Sequence, residues 1–250
     1  MGIFAYYGLH YGAEWLKHSM RSIRPFVDEV YVFYSSKPSH GHTTKRQNPE
    51  SRKQLMEISK EFDVTWVDCP DFKHEGYHRD FAVDICANKG ADLILVVDAD
   101  EIWDPEHLAY SIEFAKKENY LRVKVEMIHF WRSVRWVCTD VLMPDRFVKP
   151  HADGGEYPFT YTDHEGDRLK VFHMGYAQTP KIVAYKQDIH GHKGEWRDFW
   201  FDIKFMQWKP GGKDVHPTCF NMWNPVEYLD DGTLEYLIGD HPYWQMDIIK

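Results

Sequence analysis

The chain has 250 residues, a formal net charge of -9 and four cysteines, Cys69, Cys86, Cys138 and Cys219. This charge argues against a surface built for bulk electrostatic binding of nucleic acid or anionic membrane, and cysteines without a CxxC pair argue against a disulfide scaffold. Without a signal peptide pattern or a run near the roughly 20 apolar residues of a membrane span, we expect one cytoplasmic domain over residues 1–250.

The first half of the chain alternates between strand and helix patterns. The predicted elements are strand 3–7, helix 13–24, strand 29–34, helix 55–62, strand 64–67, helix 79–88 and strand 93–97. This order, with crossovers of helical length, predicts an α/β fold with a mostly parallel sheet and helices on both faces. Ligands bind at the carboxyl ends of such strands, so we expect Tyr7, Ser35, Asp68 and Asp98 along one edge.

The second half of the chain has a different pattern. A helix begins at Asp104-Pro105, and strands are predicted over residues 121–128, 130–137, 146–148 and 169–173, so the sheet should become mixed. Helices are predicted at 181–188 and near 196–205, followed by a turn-rich tail from Lys209. Residues 39–53, which are polar and basic, read either as a solvated loop or as a mobile loop near an anionic ligand.

The segment 91–103, ADLILVVDADEIW, is the strongest candidate for a functional site. A buried strand over residues 93–97 ends in three carboxylates, Asp98, Asp100 and Glu101. Burying carboxylates without a partner is costly, so their position at the end of a buried strand suggests that a cation shares them. The segment therefore predicts a metal and phosphate site.

This DxD segment resembles the nucleotide-sugar site of GT-A glycosyltransferases, and the chain resembles family 2 of these enzymes. Two more motifs occur in the family's order, Arg79-Asp80-Phe81-Ala82 before the DxD strand and His173-Met174-Gly175-Tyr176 after it. The similarity covers roughly residues 1–200. It implies a GT-A, Rossmann-like fold with a nucleotide-sugar-binding half over 1–104 and an acceptor half over 105–200. The turn-rich remainder, 201–250, is expected to be a C-terminal wrapping segment.

The resemblance also implies roles for individual residues. Asp100 and His173 would bind Mn²⁺ or Mg²⁺, and Asp98 would hold the ribose or a water on the metal. Donor-binding roles are implied for Arg79, which would reach the diphosphate from the start of its helix, Asp68, which would grip a uracil or thymine ring, Tyr7, which would stack on that base, and Lys193, which would neutralise a phosphate. UDP- or dTDP-sugars are therefore the expected donors.

An inverting transfer to a sugar, a lipid-linked glycan or a protein acceptor needs a general base, for which Asp163 and Glu165 are the candidates. One alternative is a DNA-modifying glycosyltransferase acting on a hydroxymethylated base. Its phosphate contacts would be Lys45, Arg46, Arg52, Lys53, Arg132, Arg135 and Arg146. A second alternative is a non-catalytic module that binds nucleotide sugars or glycans.

Overall fold

Two main sheets organise the residues that the computed structural model describes, which are 1–117, 121–140, 142–150, 159–161, 163–164, 167–168, 170–244 and 246–248. In chain order the elements are β1 (Gly2–Leu9), α1 (Ala13–Ile23), β2 (Glu29–Tyr34), α2 (Arg52–Ser59), β3 (Val64–Asp68), α3 (Glu75–Asn88), β4 (Ala91–Val97), β5 (Glu101–Trp103), α4 (Pro105–Lys117), β6 (Arg122–Lys124), β7 (Glu126–Trp131), β8 (Ser133–Cys138), β9 (Asp145–Val148), β10 (Phe159–Tyr161), β11 (Asp163–His164), β12 (Asp167–Arg168), β13 (Lys170–Tyr176), α5 (Pro180–Ile189), β14 (Pro225–Glu227) and α6 (Thr233–Ile238). Within these residues, no helix is long and apolar enough to cross a membrane.

The first sheet has the strand order β10-β6-β9-β4-β1-β2-β3. Strands β4, β1, β2 and β3 run parallel to one another, whereas β9 is antiparallel to both β4 and β6. Strand β4 lies between β1 and β9, so both of its edges are hydrogen-bonded to neighbouring strands. The predicted class, an α/β fold with a mostly parallel sheet that becomes mixed, is confirmed.

Helices pack on both faces of this sheet, as predicted. Leu16 of α1, Leu55 of α2 and Leu108 of α4 share one core cluster with alternate residues of the central strands. On the opposite face, Ala82 and Cys86 of α3 pack on the other set of strand residues. Alternate strand side chains point to opposite faces, so a sheet covered on both sides requires strands that are apolar at every position.

The second sheet has the strand order β14-β8-β7-β13-β5. It includes only part of the single strand predicted over residues 121–128, so that prediction is wrong. That segment divides at Val125 into β6, which joins the first sheet, and β7, which joins the second. The predicted strand 130–137 also divides, because Arg132 has a φ of 60° and turns the chain between β7 and β8. Local periodicity cannot distinguish one long strand from two strands that belong to different sheets.

Two predicted helices begin or form differently in the structure. Helix α3 begins at Glu75, one turn before the predicted residue 79, and the His74 side chain caps it by accepting a hydrogen bond from the Gly76 N–H at 3.0 Å. The helix expected near 196–205 is shortened to a π-helical turn over Phe201–Met206. A histidine is an uncommon N-cap, which explains why the start of α3 escaped prediction.

The C-terminal segment packs against α1 through His241. The imidazole stacks on Trp15 with ring centroids 3.7 Å apart, and its Nε2 lies 2.7 Å from the Glu14 carbonyl oxygen. Burial lowers the pKa of His241 to about 4. The ring is therefore neutral in the folded protein at neutral pH, which lets it stack in an apolar environment.

We expect His241 to make the fold sensitive to mild acid. Its pKa is lower in the folded than in the unfolded chain, so its contribution is complete above about pH 6.5 and is lost as the pH falls towards 4. The free energy of urea unfolding, measured from pH 7.5 to 4.5, should fall less steeply in His241→Gln than in the wild type. An equal slope in His241→Gln and in the wild type would contradict this role.

Candidate functional site

A cleft of about 1290 Å³ lies at the carboxyl edge of the first sheet. It is lined by the ends of β1 and β4, by residues 38–42, by the first turns of α3 and by residues that follow β13. This volume exceeds the roughly 300–1,000 Å³ of a typical small-molecule pocket, so there is room for two substrates. The structure therefore opens a cleft at the edge where parallel strands deliver their polar ends.

The DxD turn forms part of the floor of this cleft. The backbone N–H of Glu101 donates to the Asp98 carbonyl at 3.1 Å, which closes a turn between β4 and β5. A Cβ added to Gly12 would lie 2.3 Å from the Cβ of Ala99, so the loop after β1 rests directly on the central residue of the motif. A small residue between the two aspartates therefore allows this close approach.

Arg146 supplies a buried cation behind the motif. Its Nη2 lies 2.7 Å from Asp98 Oδ2, and its Nε lies 2.8 Å from Glu101 Oε1. The pairing of Ile94 with Val148 and of Leu95 with Phe147 brings the start of β9 beside the end of β4. Arg146 therefore holds two of the three carboxylates in place, and of these two only the Asp98 side chain, 44% exposed, lines the cleft.

Burial and neighbouring charges shift the pKa values of Glu101 and Arg146. Burial raises the pKa of Glu101, and the guanidinium of Arg146 beside it opposes that rise. Burial also lowers the pKa of Arg146, but the carboxylates of Glu101 and Asp98 outweigh that effect and the net shift is upward. Arg146 therefore stays charged, and the contribution of these buried charges to folding stability depends on the ion pair between Arg146 and Glu101.

Asp100 is the second carboxylate of the motif and is almost fully buried. Gln178 Nε2 donates to its Oδ2 at 3.0 Å, His173 Nε2 lies 3.5 Å from Oδ1, and Lys186 Nζ lies 3.8 Å from Oδ2. Burial raises the pKa of Asp100, but the charges of His173 and Lys186 outweigh it and hold the pKa well below its usual range. Asp100 is therefore a carboxylate anion at neutral pH.

The separation of Asp100 from His173 fits a shared divalent cation. Two adjacent ligands, each about 2.1 Å from one ion, lie roughly 3.0–3.5 Å apart, and the two side-chain atoms here are 3.5 Å apart. In the part of the chain that is described, no group of three His, Cys, Asp or Glu side chains is arranged as a metal site. The remaining ligands of such an ion would have to come from the substrate or from water.

His129 sets the orientation of His173. The two residues are paired in register on β7 and β13, and their Nδ1 atoms are 2.8 Å apart, so one ring donates a hydrogen bond to the other. When His173 Nδ1 carries the proton, its Nε2 is the unprotonated nitrogen that faces Asp100 and can bind a metal. His129 is 2% exposed, and burial lowers its pKa well below the ordinary value, so it stays neutral.

Gly175 explains the glycine of the predicted His-x-Gly-Tyr motif. A Cβ at this position would lie 2.2 Å from Cε1 of His173. We therefore expect Gly175→Ala to turn the His173 ring away from Asp100 and to weaken Mn²⁺ binding at least about tenfold, as the loss of an outer partner of a metal ligand does. Titration of free Mn²⁺ by electron paramagnetic resonance measures this.

Gly194→Ala provides the matched control for that substitution. Nothing lies within 4 Å of a Cβ built on Gly194, so this variant should bind Mn²⁺ like the wild type. If Gly175→Ala bound the ion as tightly as the control, His173 would not be the ligand.

The structure brings only some of the predicted donor-binding residues to the cleft. Arg79 lines it, but lies one turn inside α3 and pairs with Glu75, so the helix N-terminus does not assist it as expected. Burial lowers the pKa of Arg79, but Asp98 and Glu75 outweigh that effect and raise it overall. Lys193 is not among the lining residues, although His192 before it is, and its Nζ donates to the Thr43 carbonyl at 3.1 Å.

Tyr7 and Asp68 lie away from the cleft lining, which corrects their expected contacts with a base. Tyr7 is 0% exposed in the core, and its hydroxyl lies 3.0 Å from Ser19 Oγ. Asp68 ends β3, three strands from β4, and accepts two hydrogen bonds from Arg52 at 2.8 and 2.6 Å. Neighbouring strands are about 4.8 Å apart, which places Asp68 roughly 14 Å from the end of β4.

The predicted general bases lie at the margin of the described structure. Asp163 begins the short strand β11, which pairs antiparallel with β12, and its side chain lies outside the description. Glu165 lies outside the described residues. Their catalytic role therefore stays a prediction.

Several basic side chains proposed as DNA contacts have protein partners. Arg146 is buried between Asp98 and Glu101, Arg52 pairs with Asp68, and Arg46 pairs with Asp188. Arg132 is buried and donates to the Trp208 carbonyl. These contacts count against the alternative in which the same side chains bind phosphates of DNA.

Apart from His173, the histidines of the cleft were not predicted as a group. Among the described residues, ten histidines line the cleft, namely His10, His40, His42, His74, His78, His129, His173, His190, His192 and His216. Several occur in pairs such as His40 with His42 and His190 with His192, a repeated spacing that was visible in the sequence. The loop over 39–53 thus contributes its first histidines to the cleft wall.

The fold and the site together define an α/β protein with a carboxylate- and histidine-lined cleft at the end of a parallel sheet. No family model and no curated protein matches the chain. Solved structures that match include a glucosyl-3-phosphoglycerate synthase from Mycobacterium tuberculosis in complex with Mn²⁺, UDP and phosphoglyceric acid (14% identity, TM-score 0.36, 53% of this chain and 44% of that one). TarS 1–349 from S. aureus also matches (16% identity, TM-score 0.36, 52% and 36%).

A third match is a cytidylyltransferase from Leptospira borgpetersenii, with 12% identity and a TM-score of 0.34 over 50% of this chain and 52% of that one. This chain spans less than half the length of the synthase and of TarS.

Proposed function

We propose that this protein is a glycosyltransferase that uses Mn²⁺ or Mg²⁺ to transfer a sugar from a nucleoside diphosphate sugar to a hydroxyl acceptor. The observation that carries the proposal is the pair formed by Asp100 and His173, 3.5 Å apart and facing the cleft. A buried anion beside an imidazole, at the carboxyl edge of a parallel sheet, suits a divalent ion bound to a diphosphate.

Four residues of this chain would contact different parts of the donor. Asp100 and His173 would hold the ion, and when bound the ion would neutralise the charge that grows on the departing diphosphate. Asp98, held by Arg146, would accept a hydrogen bond from the ribose or from a water on the ion. Arg79 lines the same cleft and would contact the diphosphate as a charged donor.

Transfer also requires removal of the acceptor hydroxyl proton. We propose Asp163 or Glu165 for this step, with inversion at the anomeric carbon. Loss of turnover in Asp163→Asn or Glu165→Gln, with donor binding intact, would support one of them. Full turnover in both variants would exclude the pair.

The experiment that tests the function is calorimetric titration of UDP, dTDP and GDP with and without Mn²⁺. We expect at least one nucleoside diphosphate to bind about tenfold or more tightly with the ion, and the sugar nucleotide of the same base to be hydrolysed slowly without an acceptor. If none of them binds in the presence of Mn²⁺, the proposal is wrong. UDP or dTDP is the donor nucleotide expected from the sequence.

The same titration separates the alternatives. Tight binding without hydrolysis or transfer would indicate a non-catalytic nucleotide-sugar module. Binding of duplex DNA that weakens steeply with salt would indicate the DNA-modifying enzyme.

A further inference from the structure

Lys186 is a buried cation beside the proposed metal site that no sequence motif marks. It lies in the last turn of α5, and its side chain is only 13% exposed. Its Nζ donates to the Gly175 carbonyl at 3.2 Å and lies 5.1 Å from the centroid of the Tyr176 ring. Lysines are seldom this buried without a charged partner, and the partner here is Asp100, 3.8 Å away.

The position of Lys186 conflicts with that of a bound ion. A divalent cation on Asp100 would lie within a few ångströms of the ammonium, and like charges at that distance repel strongly in a partly buried site. The four-carbon stem of lysine is flexible, and Lys186 also lines the cleft into which the diphosphate would extend. The ammonium can therefore move from Asp100 toward the diphosphate when an ion binds.

We propose that Lys186 is a built-in substitute for the metal, which neutralises Asp100 in the metal-free protein and turns to the donor diphosphate once the ion has taken Asp100. This inference rests on the proposed function for its second half only. Its first half concerns the metal-free protein and the free ion. The two halves predict changes of opposite sign when the charge of Lys186 is removed.

The test compares Lys186→Met with the wild type in two titrations. With Mn²⁺ alone, followed by electron paramagnetic resonance, the variant should bind the ion about tenfold more tightly, because a competing cation is gone. With saturating Mn²⁺, it should bind UDP or the nucleoside diphosphate found above about tenfold more weakly, because a charge-assisted hydrogen bond is lost. A lysine that only packs against Tyr176 would weaken both or neither.

Three further variants make the result decisive. Lys186→Arg keeps the charge and should bind Mn²⁺ as weakly as the wild type. Lys186→Gln replaces Lys186→Met if thermal unfolding shows that the methionine variant is not folded. Lys181→Met removes an exposed lysine from the same helix and should change neither titration.

The proposal is overturned if the neutral variants bind Mn²⁺ no more tightly than the wild type, or if their nucleotide affinity with Mn²⁺ is unchanged while the wild type binds. If no protein binds any nucleoside diphosphate, the proposed function fails. The Mn²⁺ titration then still decides whether Lys186 neutralises Asp100.

Discussion

Replacing Asp100 with Asn is expected to lower the rate of sugar transfer by about a thousandfold or more, since it removes the charge that would bind the ion at the departing diphosphate. The amide keeps the size of the side chain and can still accept a hydrogen bond from Gln178. The loss should therefore appear in kcat and in Mn²⁺ affinity more than in folding. Steady-state kinetics with the donor found by titration, together with thermal unfolding, measures the two effects separately.

Asp80→Asn is the matched control for this prediction. Asp80 is an exposed residue of α3 within the predicted Arg-Asp-Phe-Ala motif, so its variant carries the same chemical change away from the DxD turn. We expect it to keep most of the wild-type rate. A rate in Asp100→Asn within tenfold of the wild type would refute metal binding by Asp100.

Replacing Arg146 with Met is expected to have the largest effect on stability. The substitution leaves the Glu101 side chain, which is 0% exposed, without its cation, and breaking a buried ion pair in this way costs about 3–5 kcal/mol. The free energy of urea unfolding measures the loss. The double variant Glu101→Leu and Arg146→Met should recover a large part of it, because it removes both buried charges.

Arg122→Met supplies the comparison for a partly exposed pair. Arg122 lies on the neighbouring strand β6, 3.4 Å from Asp145, and its side chain is 43% exposed. Exposed pairs contribute about 0–1 kcal/mol, so this variant should be nearly as stable as the wild type. Equal losses in Arg122→Met and Arg146→Met would show that the buried group does not act as a unit.

The strands and helices of the first half follow from local sequence. Strand β2 runs over Glu29–Tyr34 as predicted, and α1 over Ala13–Ile23 differs from its prediction by one residue. These elements were predictable because their apolar spacing matches one period and their ends carry turn residues. Strand β5, three residues long, offered too short a pattern, and the division of residues 121–128 depends on which sheet each part joins.

The residues of the site were likewise predictable only in part. The sequence by itself marked Asp98 and Asp100, because a charged triplet after a buried strand is a local signal. His173 was predicted from the motif resemblance. The sequence also determined that the strand ends share one edge, because parallel strands joined by helices must run in one direction.

Only the tertiary structure decided what surrounds the DxD turn. Arg146, His129 and Lys186 reach it from β9, β7 and α5, and none of them has a local pattern that separates a buried partner from a surface residue. Tyr7 and Asp68 were predicted to belong to the site because each lies at the end of a strand. Tyr7 is instead buried in the core, and Asp68 lies three strands away. Strand periodicity shows where a chain emerges from the sheet, whereas register and packing decide which side chains meet there.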